Sequence, residues 1–505
     1  MSGALPVNAA SSSEASAAVA RDGADRTVHT AGVLILAWLA LPNLIFLAGW
    51  LRLEYGWTAA LGLALALAWS ARGRCALPGP RMALLIGLAC AVPWVVLSGI
   101  GHLVYANQDW LVRDAVLLDL VMRPWPVVYH AVGEQGDLLL RAPIGFYLPA
   151  AALGKLGGMG LAGVAFFFWC LFGVVLSLWL VARRAATPRE MLVRVLVFVF
   201  FSGMDGIGTL LRGQMPTLGS HIEWWAGLFQ YSSHTTQLFW VPNHALPGWL
   251  AIGWLLSTRI ERLPIGMAVA LLACVPLWSP LTAIGIAPFF TLAIVLRLRA
   301  AGWNWRLLVL PDALLIAGIA CALVFPYLLL SGQAMPMGSI LEAYPQAGMG
   351  RFVMRYAEFV VLEFLVLGVL LLLHFRRDAM LIAALAVLLV LPLIHFGPYN
   401  DLVMRASIPA LAVLAIRLGD WFGPAWTSTA AAAGERQEDP RASLAMLVFA
   451  VGVFTPLLEL SRPLVAPAWD FDLTRNLIRA TNGVAPHYLA PANHAWAVEY
   501  LGTPP

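Results

Sequence analysis

Long apolar runs constrain this chain more than any other feature. Thirteen can be read, at residues 31–51, 57–70, 83–105, 160–182, 191–211, 237–257, 264–278, 281–296, 308–330, 356–374, 379–396, 403–417 and 443–460. A helix needs about 20 apolar residues to cross the hydrocarbon core of a bilayer, so the shorter runs tilt, merge or pair. Water cannot accommodate so many runs, because the chain lacks the polar residues to cover them. Of its 505 residues, 61% are hydrophobic and 11% charged, against about 25% charged in an average soluble domain. That balance excludes a soluble enzyme, a secreted disulfide scaffold and a disordered protein. Outer-membrane barrel strands alternate polar and apolar residues, which these runs do not. The expected fold class is all-α, a polytopic integral membrane protein of about 11–13 transmembrane helices. Pro42, Pro93, Pro247, Pro326 and Pro409 fall inside runs and predict kinked helices.

Arginine sets the expected orientation. With the N-terminus in the cytoplasm, 18 of the 30 arginines fall on the inner side, mostly in short loops such as 71–82, 183–190, 297–307 and 375–378. The positive-inside rule then puts the long loops 106–143, 212–236 and 331–355 outside the membrane. Three segments follow: a polar Ala/Ser-rich tail over 1–30, expected to be disordered and cytoplasmic; a membrane domain over 31–460; and a short extracytoplasmic tail over 461–505. The five cysteines show no metal or disulfide spacing, and the net charge of +4 gives no sign of a nucleic-acid partner.

Charged residues are so scarce that each one near an apolar run is a candidate for function. The first long loop opens Asn107, Gln108, Asp109, Trp110, and residues 110–122 have the pattern of an amphipathic helix. Asp109 with Arg113, and Asp119 with Arg123, are spaced i,i+4 and can pair along it. The loop reads either as a solvated juxtamembrane helix or as the seat of a general base. In the second reading Asp109, beside lipid and Trp110, takes a raised pKa suited to accepting a hydroxyl proton. Residues 144–158 suggest a dipping or interfacial helix. It carries Lys155, the one lysine of the chain, which either snorkels to the interface or binds a phosphate.

Two further stretches carry polar residues at the ends of runs. His221, His234 and His244, with Glu223, have spacings that fit no metal-ligand motif, so no metal is assigned. Their polar and aromatic surroundings suit either a sugar-binding surface or an interfacial aromatic belt. Asn243 and His244 lie just inside a run and need polar neighbours. Asp401 and Arg405 are again i,i+4 at the start of a run. They read either as a structural ion pair or as part of a phosphate clamp.

Taken together, these stretches resemble the GT-C class of membrane glycosyltransferases. The resemblance implies a multi-span helical enzyme that takes its sugar from a polyprenyl-phosphate donor and works on the outer face of the cytoplasmic membrane. It also implies that Asp109 is the catalytic carboxylate, with Asp114 as second candidate. The acidic loop here follows the third run rather than the first, and the C-terminal tail is shorter than in several members. From depth and side, Arg405 and Lys155 are expected to bind the donor phosphate. His221, Glu223 and Asn243 are expected near the acceptor, a glycan or a lipid, and His244 and Asp401 are also expected to bind substrate. Some members use a divalent cation, and nothing in this sequence demands a cofactor. The competing reading is a transporter or lipid flippase, which predicts internal symmetry and a polar path at the bilayer midplane.

Overall fold

The computed structural model describes residues 9–72, 81–130, 132–133, 136–330, 337–343, 348–397, 399–427, 439–483, 485 and 487–502. Arg74, Cys75 and Arg436 lie outside them. Of these described residues, 73% are helical. Among the described residues, seven helices are long and apolar enough to cross a membrane: Asp25–Trp50, Leu148–Ala182, Pro280–Ala300, Trp305–Leu329, Met349–His374, Asp401–Trp426 and Pro440–Val465. This is a multi-pass membrane protein. Each of the seven contains, to within a residue at the run's end, one of the thirteen apolar runs. The first belongs to a helix that begins at Ala9, so it takes in most of the segment expected to be a disordered tail.

The other six runs form shorter or interrupted helices, for local reasons. The run at 191–211 divides into Pro188–Val199 and Asp205–Leu211. Between them Gly203 lies so close to Glu363 that a Cβ would come within 2.2 Å of its Oε2. The run at 237–257 divides at Val241, between His234–Trp240 and Pro242–Ser257. Pro242 has no N–H with which to continue the first helix. Thr187 and Ser279 start helices by accepting from Glu190 N and Thr282 N, an N-cap arrangement.

The expected dipping segment is the beginning of the long Leu148–Ala182 helix. That helix breaks at Gly157 and Gly158. Gly158 has φ +75°, where a side chain would strain the backbone. The helix expected over 110–122 runs from Trp110 to Met122, but ten of its residues are buried. It does not lie open on a surface, because the C-terminal segment packs over it. Asp119 Oδ2 accepts from Leu477 N at 2.9 Å and from the Tyr129 hydroxyl at 2.7 Å.

Three short strands complete that cover: β1 (Val128–Tyr129), β2 (Leu138–Leu140) and, in the C-terminal segment, Leu489–Pro491. The last pairs antiparallel with β2, setting Leu138 opposite Pro491 and Leu140 opposite Leu489. Arg52 fastens the end of the chain by donating to Val498 O at 2.6 Å. The C-terminal segment is thus a wall of the fold rather than a loose tail.

Candidate functional site

The wall closes one side of a cavity of about 1600 Å³. Five of the residues singled out in the sequence line it together: Asp109, Asn243, His244, Asp401 and Arg405. They come from three separate parts of the chain. Arg113, Arg141, Tyr147, His487 and Tyr488 complete the polar end. From there the cavity continues as an apolar groove, whose walls include Leu272, Ile284, Ala287, Ala317, Cys321 and Phe325 from three neighbouring helices. An apolar groove ending in a few convergent polar groups has the form of a site for an amphiphile.

Asp109 stands at the N-terminus of the Trp110–Met122 helix without capping it, so its carboxylate is not used to hold the backbone. Asn107 does that work: its Oδ1 accepts from Asp109 N at 3.0 Å, and its Nδ2 donates to Phe239 O at 2.7 Å. Trp110 Nε1 donates to the same carbonyl at 3.2 Å. The side chain of Asp109 is 43% exposed, while its partner Arg113, 3.5 Å away, is 9% exposed. Arg113 is held from behind by Asn243 Oδ1 at 3.3 Å and by Trp240 O. Asn243 Nδ2 lies 3.1 Å from His244 Nε2, and His244 Nδ1 lies 2.5 Å from Ser279 Oγ. The chain Asp109–Arg113–Asn243–His244–Ser279 therefore fixes one side of the polar end.

Asp401 and Arg405 form the opposite side as an i,i+4 ion pair. Arg405 Nε is buried with no hydrogen-bond partner among the described residues. The turn before this helix depends on Gly397, at φ +83°, where a Cβ would meet Asp401 Oδ2 at 2.2 Å.

Four of the sequence candidates lie elsewhere. Lys155 does not line the cavity: its Nζ donates to Arg123 O at 2.6 Å and sits 5.0 Å over the Trp125 ring. There it satisfies carbonyls at the C-terminal end of the Trp110–Met122 helix, a favourable place for a cation. Asp114 points away from the cavity, with Oδ2 2.8 Å from His102 Nε2, while His102 Nδ1 donates to Trp469 O at 3.1 Å. Burial opposes charge on His102, but the hydrogen bond and charge of Asp114 outweigh it and hold the imidazole above its ordinary value.

His221 donates to Glu459 Oε1 at 2.6 Å. Glu223 is enclosed, accepting from Ser233 N at 2.9 Å and Gln230 Nε2 at 3.3 Å. Burial pushes its carboxyl up to about 7. The three histidines His221, His234 and His244 are each engaged separately, His234 by Phe198 O at 2.7 Å and His244 by Ser279. Among the described residues no group of His, Cys, Asp or Glu is arranged to hold a metal ion.

The residues that the sequence reading passed over are Arg141, His487 and Tyr488. Arg141 follows three leucines, and an arginine at the end of an apolar stretch in so weakly charged a chain was the available signal. Searches for likeness to other proteins add nothing to this geometry: no family model matches the chain, and no curated protein or solved structure is significantly similar to it.

Proposed function

We propose that the protein is a GT-C-type membrane glycosyltransferase. It moves a sugar from a polyprenyl-phosphate donor to a glycan or lipid acceptor on the outer face of the cytoplasmic membrane. The shorter apolar helices complete the crossing set alongside the seven long ones, with the N-terminus cytoplasmic and the C-terminus extracytoplasmic. One observation carries the reading: a half-exposed carboxylate, Asp109, faces arginines at the polar end of an apolar groove.

In this mechanism the prenyl chain lies in the groove and the sugar faces Asp109. Asp109 takes the proton of the acceptor hydroxyl as that oxygen attacks the anomeric carbon. The new carbon–oxygen bond forms as the bond to the donor phosphate breaks, which inverts the anomeric centre. The leaving phosphate takes the electron pair and is stabilised by Arg405. Asn107 positions the base through the Asp109 backbone, and Arg113 orients its carboxylate.

The test is transfer from a polyprenyl-phosphate sugar by purified protein in liposomes. Asp109→Asn is expected to lower the rate by about 10²–10⁴-fold while the protein remains folded. A full rate in that variant would show that Asp109 is not the base. Movement of the lipid across the bilayer without transfer would favour a flippase.

A further inference from the structure

Three arginines line the cavity, and two of them face a carboxylate: Arg113 pairs with Asp109, and Arg405 with Asp401. Arg141 is different. Its Nε donates to Leu330 O, and among the described residues no carboxylate pairs with its guanidinium. Its position is set by the backbone, since it directly follows β2 and its N–H donates to Tyr488 O at 2.7 Å. A part-buried cation beside an apolar groove is costly without a counter-charge. The charged lining residues are Arg113, Arg141, Arg405, Asp109 and Asp401, which sum to one formal positive charge.

We infer that Arg141 anchors a single negative charge, the phosphodiester headgroup of an amphiphile whose hydrocarbon chain occupies the groove. This deepens the glycosyl-transfer reading and rests on it for the chemistry at Asp109. A guanidinium fork suits two phosphate oxygens. A phosphodiester carries one charge, whereas a phosphomonoester carries about 1.5–2 at neutral pH. Lys155, occupied with backbone carbonyls, has no part in this.

The probe is farnesyl methyl phosphodiester, with farnesol as the neutral comparison and phosphatidylglycerol as the bulk-lipid comparison. Binding to the full chain in detergent is measured by native mass spectrometry. Arg141→Gln is expected to weaken the diester roughly tenfold or more and to leave farnesol unchanged, which also checks the fold. Arg141→Lys should restore part of the loss. Equal binding of the diester by Arg141→Gln and the unaltered protein would overturn the anchor. If Arg141→Gln does not accumulate, the unaltered protein still decides: it must prefer the diester over farnesol by a similar factor, and equal affinity overturns the proposal.

Both lipid arms share the phosphodiester. Phosphatidylglycerol competing as well as the farnesyl diester supports the anchor and assigns the groove to diacyl chains, and weaker competition assigns it to isoprenoid chains. The enzymatic reading fails separately: Arg141-dependent binding with no sugar transfer would overturn it and leave the anchor standing. Transfer by Arg141→Gln with an unchanged donor KM would do the reverse.

Discussion

Two arginine clusters mark opposite ends of the same helices, and they are built differently. Beyond the end of the Leu148–Ala182 helix, Arg184 and Arg194 both reach Asp420, Arg194 also holds Glu190 at 2.6 Å, and Arg417 bridges Asp420 and Asp378 at 3.0 and 2.7 Å. Three guanidiniums meet three carboxylates. Before the start of that helix, Tyr147 lines the cavity, where three guanidiniums meet two carboxylates. The balanced cluster ties Pro188–Val199 to Asp401–Trp426, with a carboxylate for each of these guanidiniums. The cavity cluster has one positive charge left over, beside a groove. Arginine content alone does not distinguish a brace from a binding site; the count of carboxylates in reach does.

Substitutions at either cluster test the difference between them. The largest effect is expected from Asp109→Asn, which should cost about 10²–10⁴-fold in transfer rate and leave the unfolding temperature close to that of the unaltered protein. A matching fall in stability would make Asp109 a brace like Asp420. Next comes Asp420→Ala, which strands buried guanidiniums and should cost about 3–5 kcal/mol. It would be read as a lowered unfolding temperature with farnesyl diester binding preserved in the folded fraction. Loss of binding without loss of stability would merge the two clusters into one functional unit.

Asn107→Ala removes a buried amide that holds Asp109 from behind. About 1–2 kcal/mol of stability should go with it, together with a fall in kcat larger than any change in donor KM. A change confined to KM would move Asn107 from positioning to binding.

The smallest effect is expected at Glu223. Its carboxyl titrates near 7 in the folded protein against 4.5 ordinarily, so the folded state keeps a proton that the unfolded state releases. Stability from this group is present below about 4.5 and is lost as pH rises towards 7. Glu223→Gln should flatten that part of the stability–pH profile and leave transfer unchanged. An unaltered profile would remove Glu223 as its cause.

Much of this was legible in the sequence where side chains near in sequence do the work. The Trp110–Met122 helix appears at its expected residues because its helical pattern is a local property of residues 110–122. Asp401 and Arg405 pair because they lie one helical turn apart. The seven long spans match seven of the runs, while breaks such as the one at Gly203 depend on a contact with Glu363, 160 residues away.

Lys155 and Arg141 show why the rest was hidden. Both stand out as isolated cations, but only the fold reveals that backbone carbonyls already occupy the lysine. Likewise the C-terminal segment carries no periodicity that would announce its three-residue pairing with β2, and without that wall His487 and Tyr488 could not reach the cavity. His221 and Glu223 look like sugar ligands in a polar loop, but Glu459, Ser233 and Gln230 claim their hydrogen bonds.

The most direct measurement is a structure of the protein bound to a polyprenyl-phosphate sugar. The phosphate is expected within hydrogen-bonding reach of Arg141, the prenyl chain in the groove beside Ile284 and Ala317, and the anomeric carbon facing Asp109. Density for the lipid at any other surface, with the cavity at Arg141 left unfilled by it, would show that the cavity is not the donor site.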